Sequence, residues 1–252
     1  MKAKWVCLLL MLGAILAFPA RSQAIPVDLE LVLLVDVSGS IDAGEFDLQR
    51  TGYANAFLDP SLAALIQASG VNHQIACTLV YWSSAGSQQQ ALPWTLISDG
   101  PSASAFGTAV GAAARPFSGN TAPGSAINFA VPLFNNNFEG LREVIDVSGD
   151  GAQNEGASTP AARDNAILAG VYQLNGLAIE GSEAGLLQWY INNIQAGPDS
   201  FTLSVTGFDT FEAGVKEKLF REVVGVVPEP VTVATLLLGI GCLSRYARRR
   251  LA

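Results

Sequence analysis

The sequence predicts an α/β domain with a doubly wound, mostly parallel sheet flanked by helices, preceded by an N-terminal signal peptide and followed by a C-terminal hydrophobic helix. Three observations carry this prediction. Short apolar runs such as Leu29–Val35, broken only by Glu30, read as strands buried on both faces. These runs alternate along the chain with segments of helical character, which is the order of a parallel sheet with crossover helices. Half of the 252 residues are hydrophobic and only 14% are charged, so a large core can form and disorder is excluded.

Residues 1–24 place Lys2 and Lys4 before an apolar run from Trp5 to Phe18, then Ser22-Gln23-Ala24. A basic start, a short apolar stretch and small residues at the end make a secretory signal peptide, cleaved after Ala24. The apolar run is short for a membrane span.

The exported domain occupies residues 25–227. After the Leu29–Val35 strand, Asp42-Ala43-Gly44-Glu45 has the spacing of a capping box and starts a helix to about Leu58; Pro60 opens a shorter one. Val71–Trp82 and Leu92–Ile97 read as strands, joined through a hairpin-like Ser83–Gln90 segment that contains Gly86. Ser102–Ala114 is rich in small residues and helical. Gly119–Gly124 is a loop, and Ser125–Phe134 a helix. The Leu141–Val147 strand is stopped by Ser148-Gly149-Asp150-Gly151. Helix Pro160–Leu168, strand Val171–Ile179, helix Leu186–Ile194, strand Phe201–Val205 and helix Phe211–Val223 complete the alternation. Ligands in such folds bind at the carboxyl ends of the strands. Asp36 and Asp150 fall there.

Residues 228–252 form a three-part tail. Val227-Pro228-Glu229-Pro230 precedes an apolar stretch, Val231–Leu243, and Arg245, Arg248, Arg249 and Arg250 follow. Thirteen apolar residues make a helix of about 20 Å, against a hydrocarbon core of about 30 Å. The arginines would remain cytoplasmic. The tail resembles the PEP-CTERM sorting signal, with Pro228, Glu229 and Pro230 as its motif. The resemblance implies export from a Gram-negative bacterium and a transient hold on the inner membrane through the C-terminal helix. It also implies processing by a membrane-embedded exosortase and a final place at the cell surface or in extracellular matrix.

Between these ends, seven basic residues face 21 acidic ones, a net charge of −14. That excludes nucleic acid and anionic lipid as partners. Cys77 is the one cysteine left in the domain, so no internal disulfide can form; it sits in an apolar strand and reads as buried. His73 is the one histidine and reads as structural.

Asp36-Val37-Ser38-Gly39-Ser40 follows the first strand. A carboxylate and two hydroxyls at alternate positions converge if the loop curls, which Gly39 permits. Oxygen-only ligands suit hard cations such as Mg²⁺, Mn²⁺ or Ca²⁺. A strand-end aspartate is equally a common helix cap. Two further elements are Gly119-Asn120-Thr121-Ala122-Pro123-Gly124-Ser125 and Val144-Ile145-Asp146-Val147-Ser148-Gly149-Asp150-Gly151.

In order and setting, the three elements together resemble the metal-ion-dependent adhesion site (MIDAS) of von Willebrand factor A (VWA) domains, over residues 27–225. Tyr81-Trp82-Ser83-Ser84, Pro93-Trp94-Thr95 and Arg115-Pro116-Phe117-Ser118 resemble a bacterial subgroup known as DUF1194, which supplies a fold but no ligand. The resemblance implies that Ser38 and Ser40 ligate a cation, Mg²⁺ before Mn²⁺ or Ca²⁺. Thr121, Asp36 and Asp150 would act directly or through water. One coordination position would remain for an acidic side chain of a protein partner. Gly149 stands where that family commonly has Thr. Asp146-Val147-Ser148-Gly149 also echoes the first motif, so Asp146 and Asp150 compete for the ligand role, with Asp150 preferred. Gln153 and Asn154, in the following loop, are candidate partner contacts; Trp82 and Trp94 read as core, and Glu180 and Glu183 as solvated.

The function expected is adhesion or protein–protein interaction, not catalysis. One alternative is a degenerate site that binds partners without metal. A metal-dependent hydrolase is disfavoured, because a nucleophilic Asp36 would want a second carboxylate where Ser38 stands.

Overall fold

The computed structural model describes residues 24–181 and 183–225. Lys2, Lys4 and the rest of the signal segment before Ala24 lie outside the described residues. So do Pro228, Glu229, Pro230 and the expected C-terminal helix.

Among the described residues, eight strands and seven α-helices follow in sequence: β1 (Ile25–Val27), β2 (Leu29–Asp36), α1 (Ala43–Leu58), α2 (Pro60–Ala68), β3 (Ile75–Trp82), β4 (Gln88–Ile97), α3 (Gly100–Ala112), α4 (Pro123–Ala130), β5 (Phe138–Gly140), β6 (Glu143–Gly149), α5 (Thr159–Leu168), β7 (Gln173–Ile179), α6 (Leu186–Asn193), β8 (Thr202–Val205) and α7 (Phe211–Val224). Six strands form one sheet in the order β4-β3-β2-β6-β7-β8. Only β3–β4 is antiparallel. The predicted doubly wound, mostly parallel sheet is therefore present.

The central strand β2 is buried along its whole length. Leu31, Leu33 and Val35 point to one face, where Phe46, Tyr53 and Phe57 of α1, Phe106 of α3 and Phe211 of α7 pack. Val32 and Leu34 point to the other, against Ala126 and Ile127 of α4, Ala162 of α5 and Tyr190 of α6. Both faces of the pleat are covered, so the strand shows no polar alternation. Each fully buried leucine contributes about 2 kcal/mol. The capping box at α1 is made: the Glu45 amide donates to Asp42 Oδ1 (2.9 Å) and the Asp42 amide to Glu45 Oε2 (2.8 Å).

Several boundaries differ from expectation. The strand expected from Val71 begins at Ile75, because Asp28 draws residues 71–73 into a turn. Its carboxylate accepts from the amides of Val71 (2.8 Å), Asn72 (2.9 Å) and His73 (2.7 Å). β4 begins at Gln88 rather than Leu92, since Gln88–Gln90 pair with Val80–Trp82. The helix expected at Ser125 starts at Pro123, and its last turn, Val131–Phe134, tightens into a 3₁₀ helix. β6 runs on through Ser148 and Gly149, held between β2 and β7. β1 and β5 form a parallel two-stranded pair that was not expected. Among the described residues, no helix is long and apolar enough to cross a membrane.

Candidate metal centre

Asp36 ends β2, and the chain curls sharply after it. The Ser38 amide donates to Asp36 Oδ1 (2.7 Å), the Val37 amide to the Trp82 carbonyl (2.8 Å) and the Gly39 amide to the Gly119 carbonyl (2.7 Å). Arg115 clamps the curl from outside, its Nη2 donating to the carbonyls of Val37 (2.9 Å) and Ser38 (2.7 Å). The curl brings Ser38 Oγ to 3.2 Å from Ser40 Oγ, and Ser40 Oγ donates to Asp150 Oδ1 at 2.8 Å. Four of the predicted residues thus meet at the carboxyl ends of β2 and β6.

Thr121 arrives from the second loop. Its amide donates to Asn154 Oδ1 (2.8 Å) and its carbonyl accepts from the Asn154 amide (3.0 Å). The loop after β6 and the loop before α4 are thereby tied together. A Cβ at Gly151 would lie 3.8 Å from Thr121 Oγ1, so the threonine hydroxyl borders the residue next to Asp150.

Asp36 is fully buried, and its Oδ2 has no hydrogen-bond partner. Its pKa is pushed up to about 8, first by burial and then by Asp150, against the opposing hydrogen bonds of Ser38 and the charge of Arg115. A cation placed among these oxygens would reverse that shift, because opposite charge favours the ionised carboxylate. Asp36, Asp150, Ser38, Ser40 and Thr121 offer only oxygen, the donor set of hard cations. Among the described residues, no group of three or more His, Cys, Asp or Glu is placed to hold a metal. Any ion here would depend on the hydroxyls. Ser40 and Asp150 open onto a cleft of about 340 Å³, walled by Leu48 and Phe208 and edged by Glu45 and Asp209.

Asp146 lies apart from this cluster. It is buried within β6 and ion-paired with Lys218 of α7, which also meets Glu222 at 3.0 Å. Asn154 is engaged with Thr121, and Gln153 with the residues that lead into α5. Gln153 Nε2 donates to the Ala157 carbonyl (2.8 Å), and its Oε1 accepts from the Thr159 amide and hydroxyl (2.9 and 2.8 Å). Glu183 is exposed but also accepts from the Ala152 amide (2.8 Å). Trp82 is core, and Trp94 donates to the Leu133 carbonyl (2.8 Å). Cys77 is a buried free thiol, its pKa raised well above the usual value by burial.

The sequence reading missed Arg115 and Tyr190. Arg115 had a weak signal, its place in the Arg115-Pro116-Phe117-Ser118 segment just before the Gly119 loop. Tyr190 had none, since it reaches the site from a distant helix.

The family described as "Protein of unknown function (DUF1194)" matches residues 26–227. No curated protein matches the chain. Among solved structures, proximal thread matrix protein 1 from the mussel byssus is similar at a TM-score of 0.57 and 14% identity, covering 80% of this chain and 48% of that one. A form of the same mussel protein with a zinc-occupied MIDAS motif gives 0.50 and 14%, covering 80% and 49%. The pilus adhesin SpaC from Lactobacillus rhamnosus GG gives 0.55 and 18%, covering 79% and 30%. A von Willebrand factor type A structure from Catenulispora acidiphila gives 0.55 and 17%, covering 78% and 43%. The chain spans less than half the length of each of these proteins, and identities this low show the fold alone. That fold is VWA-like. With a family match over most of its length, the chain belongs to the DUF1194 family.

Proposed function

We propose that this domain is an interaction module that holds a divalent cation, Mg²⁺ first, and uses it to bind an acidic side chain of a protein partner. The observation that carries the reading is the convergence of Asp36, Ser38, Ser40 and Asp150 at the strand ends, with one Asp36 oxygen buried and without a partner. Thr121 completes the set from the neighbouring loop. Two of the five ligands are carboxylates and three are neutral hydroxyls, so the ligands do no more than balance a divalent ion, and a hard ion on oxygen donors still takes a further carboxylate at an open position. The domain's overall negative charge opposes such a partner at long range, while the ion dominates at contact. The adhesin and the zinc-holding mussel protein among the structural neighbours support an adhesive role.

Calorimetric titration of the purified protein with Mg²⁺, Mn²⁺ and Ca²⁺, beside a Ser38→Ala/Ser40→Ala variant, tests the reading. The expected result is one site in the wild type and none in the variant. A folded wild type that takes up no cation would overturn it.

The direct bond from Ser40 to Asp150 favours a second reading, a self-satisfied site that binds partners without metal. Partner binding unaffected by chelator would select it.

We also propose export and sorting to the cell surface or matrix, with the Pro228-Glu229-Pro230 tail removed by an exosortase-type enzyme. Mass spectrometry of the mature protein tests this; an intact tail in the exported fraction would contradict it.

A further inference from the structure

We propose that Tyr190 is a positioning residue of this centre: its phenol hydroxyl, threaded across two strands, holds the outer oxygen of Asp36. The inference rests on the metal-site reading above.

Tyr190 belongs to α6, and its side chain is fully buried beneath the sheet. Its ring passes Gly176 of β7, where a Cβ would come within 2.9 Å of the ring carbon Cδ1. Its hydroxyl ends at Gly149 of β6, where a Cβ would lie 2.7 Å from the phenol oxygen. The same Cβ would lie 2.8 Å from Asp36 Oδ2. The phenol oxygen and the carboxylate oxygen therefore border one small space, kept clear because residue 149 has no side chain. Neither oxygen has a hydrogen-bond partner, and the two are not bonded to each other in this structure.

Packing alone does not account for this arrangement. Phenylalanine would fill the same volume without burying a hydroxyl, and a buried polar group that lacks a partner is costly. Glycine inside a strand also weakens it, and often marks a close approach by another group. Here two neighbouring strands each carry one along the path of a single tyrosine. The three residues make physical sense together if the hydroxyl donates to Asp36, directly or through one water in the shared space. Asp36 Oδ1 already accepts from Ser38. A second donor on Oδ2 would fix the carboxylate plane toward the loop that carries Ser38 and Ser40.

The test compares Tyr190→Phe with wild type by calorimetric titration with Mg²⁺, and by the thermal midpoint of the metal-free protein. Tyr53→Phe is the control. Tyr53 is an equally buried tyrosine whose hydroxyl meets Ser148 of the same strand at 3.2 Å, from the opposite face. Tyr190→Phe should weaken Mg²⁺ binding about tenfold, the effect of losing a hydrogen bond to a charged group. It should leave the metal-free midpoint unchanged or raised, and Tyr53→Phe should leave Mg²⁺ binding unchanged. Wild-type affinity in Tyr190→Phe would overturn the positioning role while leaving the metal site standing. Equal weakening in both variants would also overturn it, by showing that β6 had merely loosened. A wild type that binds no cation would overturn the metal site and this role together.

Discussion

Asp146 and Asp150 lie four residues apart, one within β6 and one just past its end, and the protein treats them in opposite ways. Around Asp146 it supplies its own cation. Lys218 comes from α7 to pair with Asp146 and Glu222, and Asn175 Nδ2 donates to Glu222 Oε1 (3.2 Å). Around Asp150 and Asp36 it supplies hydroxyls, and the nearby Arg115 directs its Nη2 to backbone carbonyls rather than to either carboxylate. One cluster is closed by the chain itself. The other leaves one oxygen of the buried Asp36 carboxyl without a partner.

Breaking the closed cluster should give the largest effect. Lys218→Met leaves Asp146 and Glu222 buried without a cation, which costs about 3–5 kcal/mol. Urea denaturation should show it as a large fall in midpoint, with Mg²⁺ affinity kept in the folded fraction. A loss under about 1 kcal/mol would mean that the cluster is relieved by other means.

Next comes a contrast of ligands. Asp150→Ala should abolish measurable Mg²⁺ binding, whereas Asp146→Asn should spare it while lowering stability. Titration of both variants decides the matter, and the opposite pattern would transfer the ligand role to Asp146.

A further contrast is in pH dependence. Asp36 holds its proton in the folded, metal-free protein up to about pH 8, but releases it near pH 4 when unfolded. Between these values the folded state binds more protons, so metal-free stability should fall as pH rises. Glu222, raised to about 7 mainly by burial and then by Asp146, adds a slope of the same sign. Thermal melts from pH 4.5 to 8 should show the decline. Asp36→Asn should make it shallower, and saturating Mg²⁺ should offset it at the upper end. An identical slope in Asp36→Asn would remove Asp36 as a cause.

The open cluster was more legible in the sequence than the closed one, and the reason is locality. Asp36, Ser38 and Ser40 are contiguous, and a continuous apolar strand announces where their loop begins. Asp42 and Pro60 marked two helix starts because capping is settled within one turn. Lys218 gave no such sign. A lysine within a helix usually faces water, and only the approach of α7 to β6 shows that this one does not. β1 and β5 span three residues each, too short for any periodicity. β6 outran its glycine because strands on both sides continue the ladder. Gln153 and Asn154 looked like residues free to meet a partner, but their hydrogen bonds turn inward to hold Thr121 and the loop.

The two ends of the described chain both lie at the amino ends of the central strands, away from the cluster of hydroxyls. Ile25 enters beside β5, its amide donating to the Asn137 carbonyl at 2.9 Å, just before the amino end of β2. Gly225 leaves against the guanidinium of Arg142, at the amino end of β6. Asp36 and Asp150 stand at the other ends of those same two strands. Gly225 therefore lies at the pole of the sheet opposite Asp36 and Asp150. Under the sorting proposed above, β2 and β6 would hold the candidate metal centre a full strand's length from the tail.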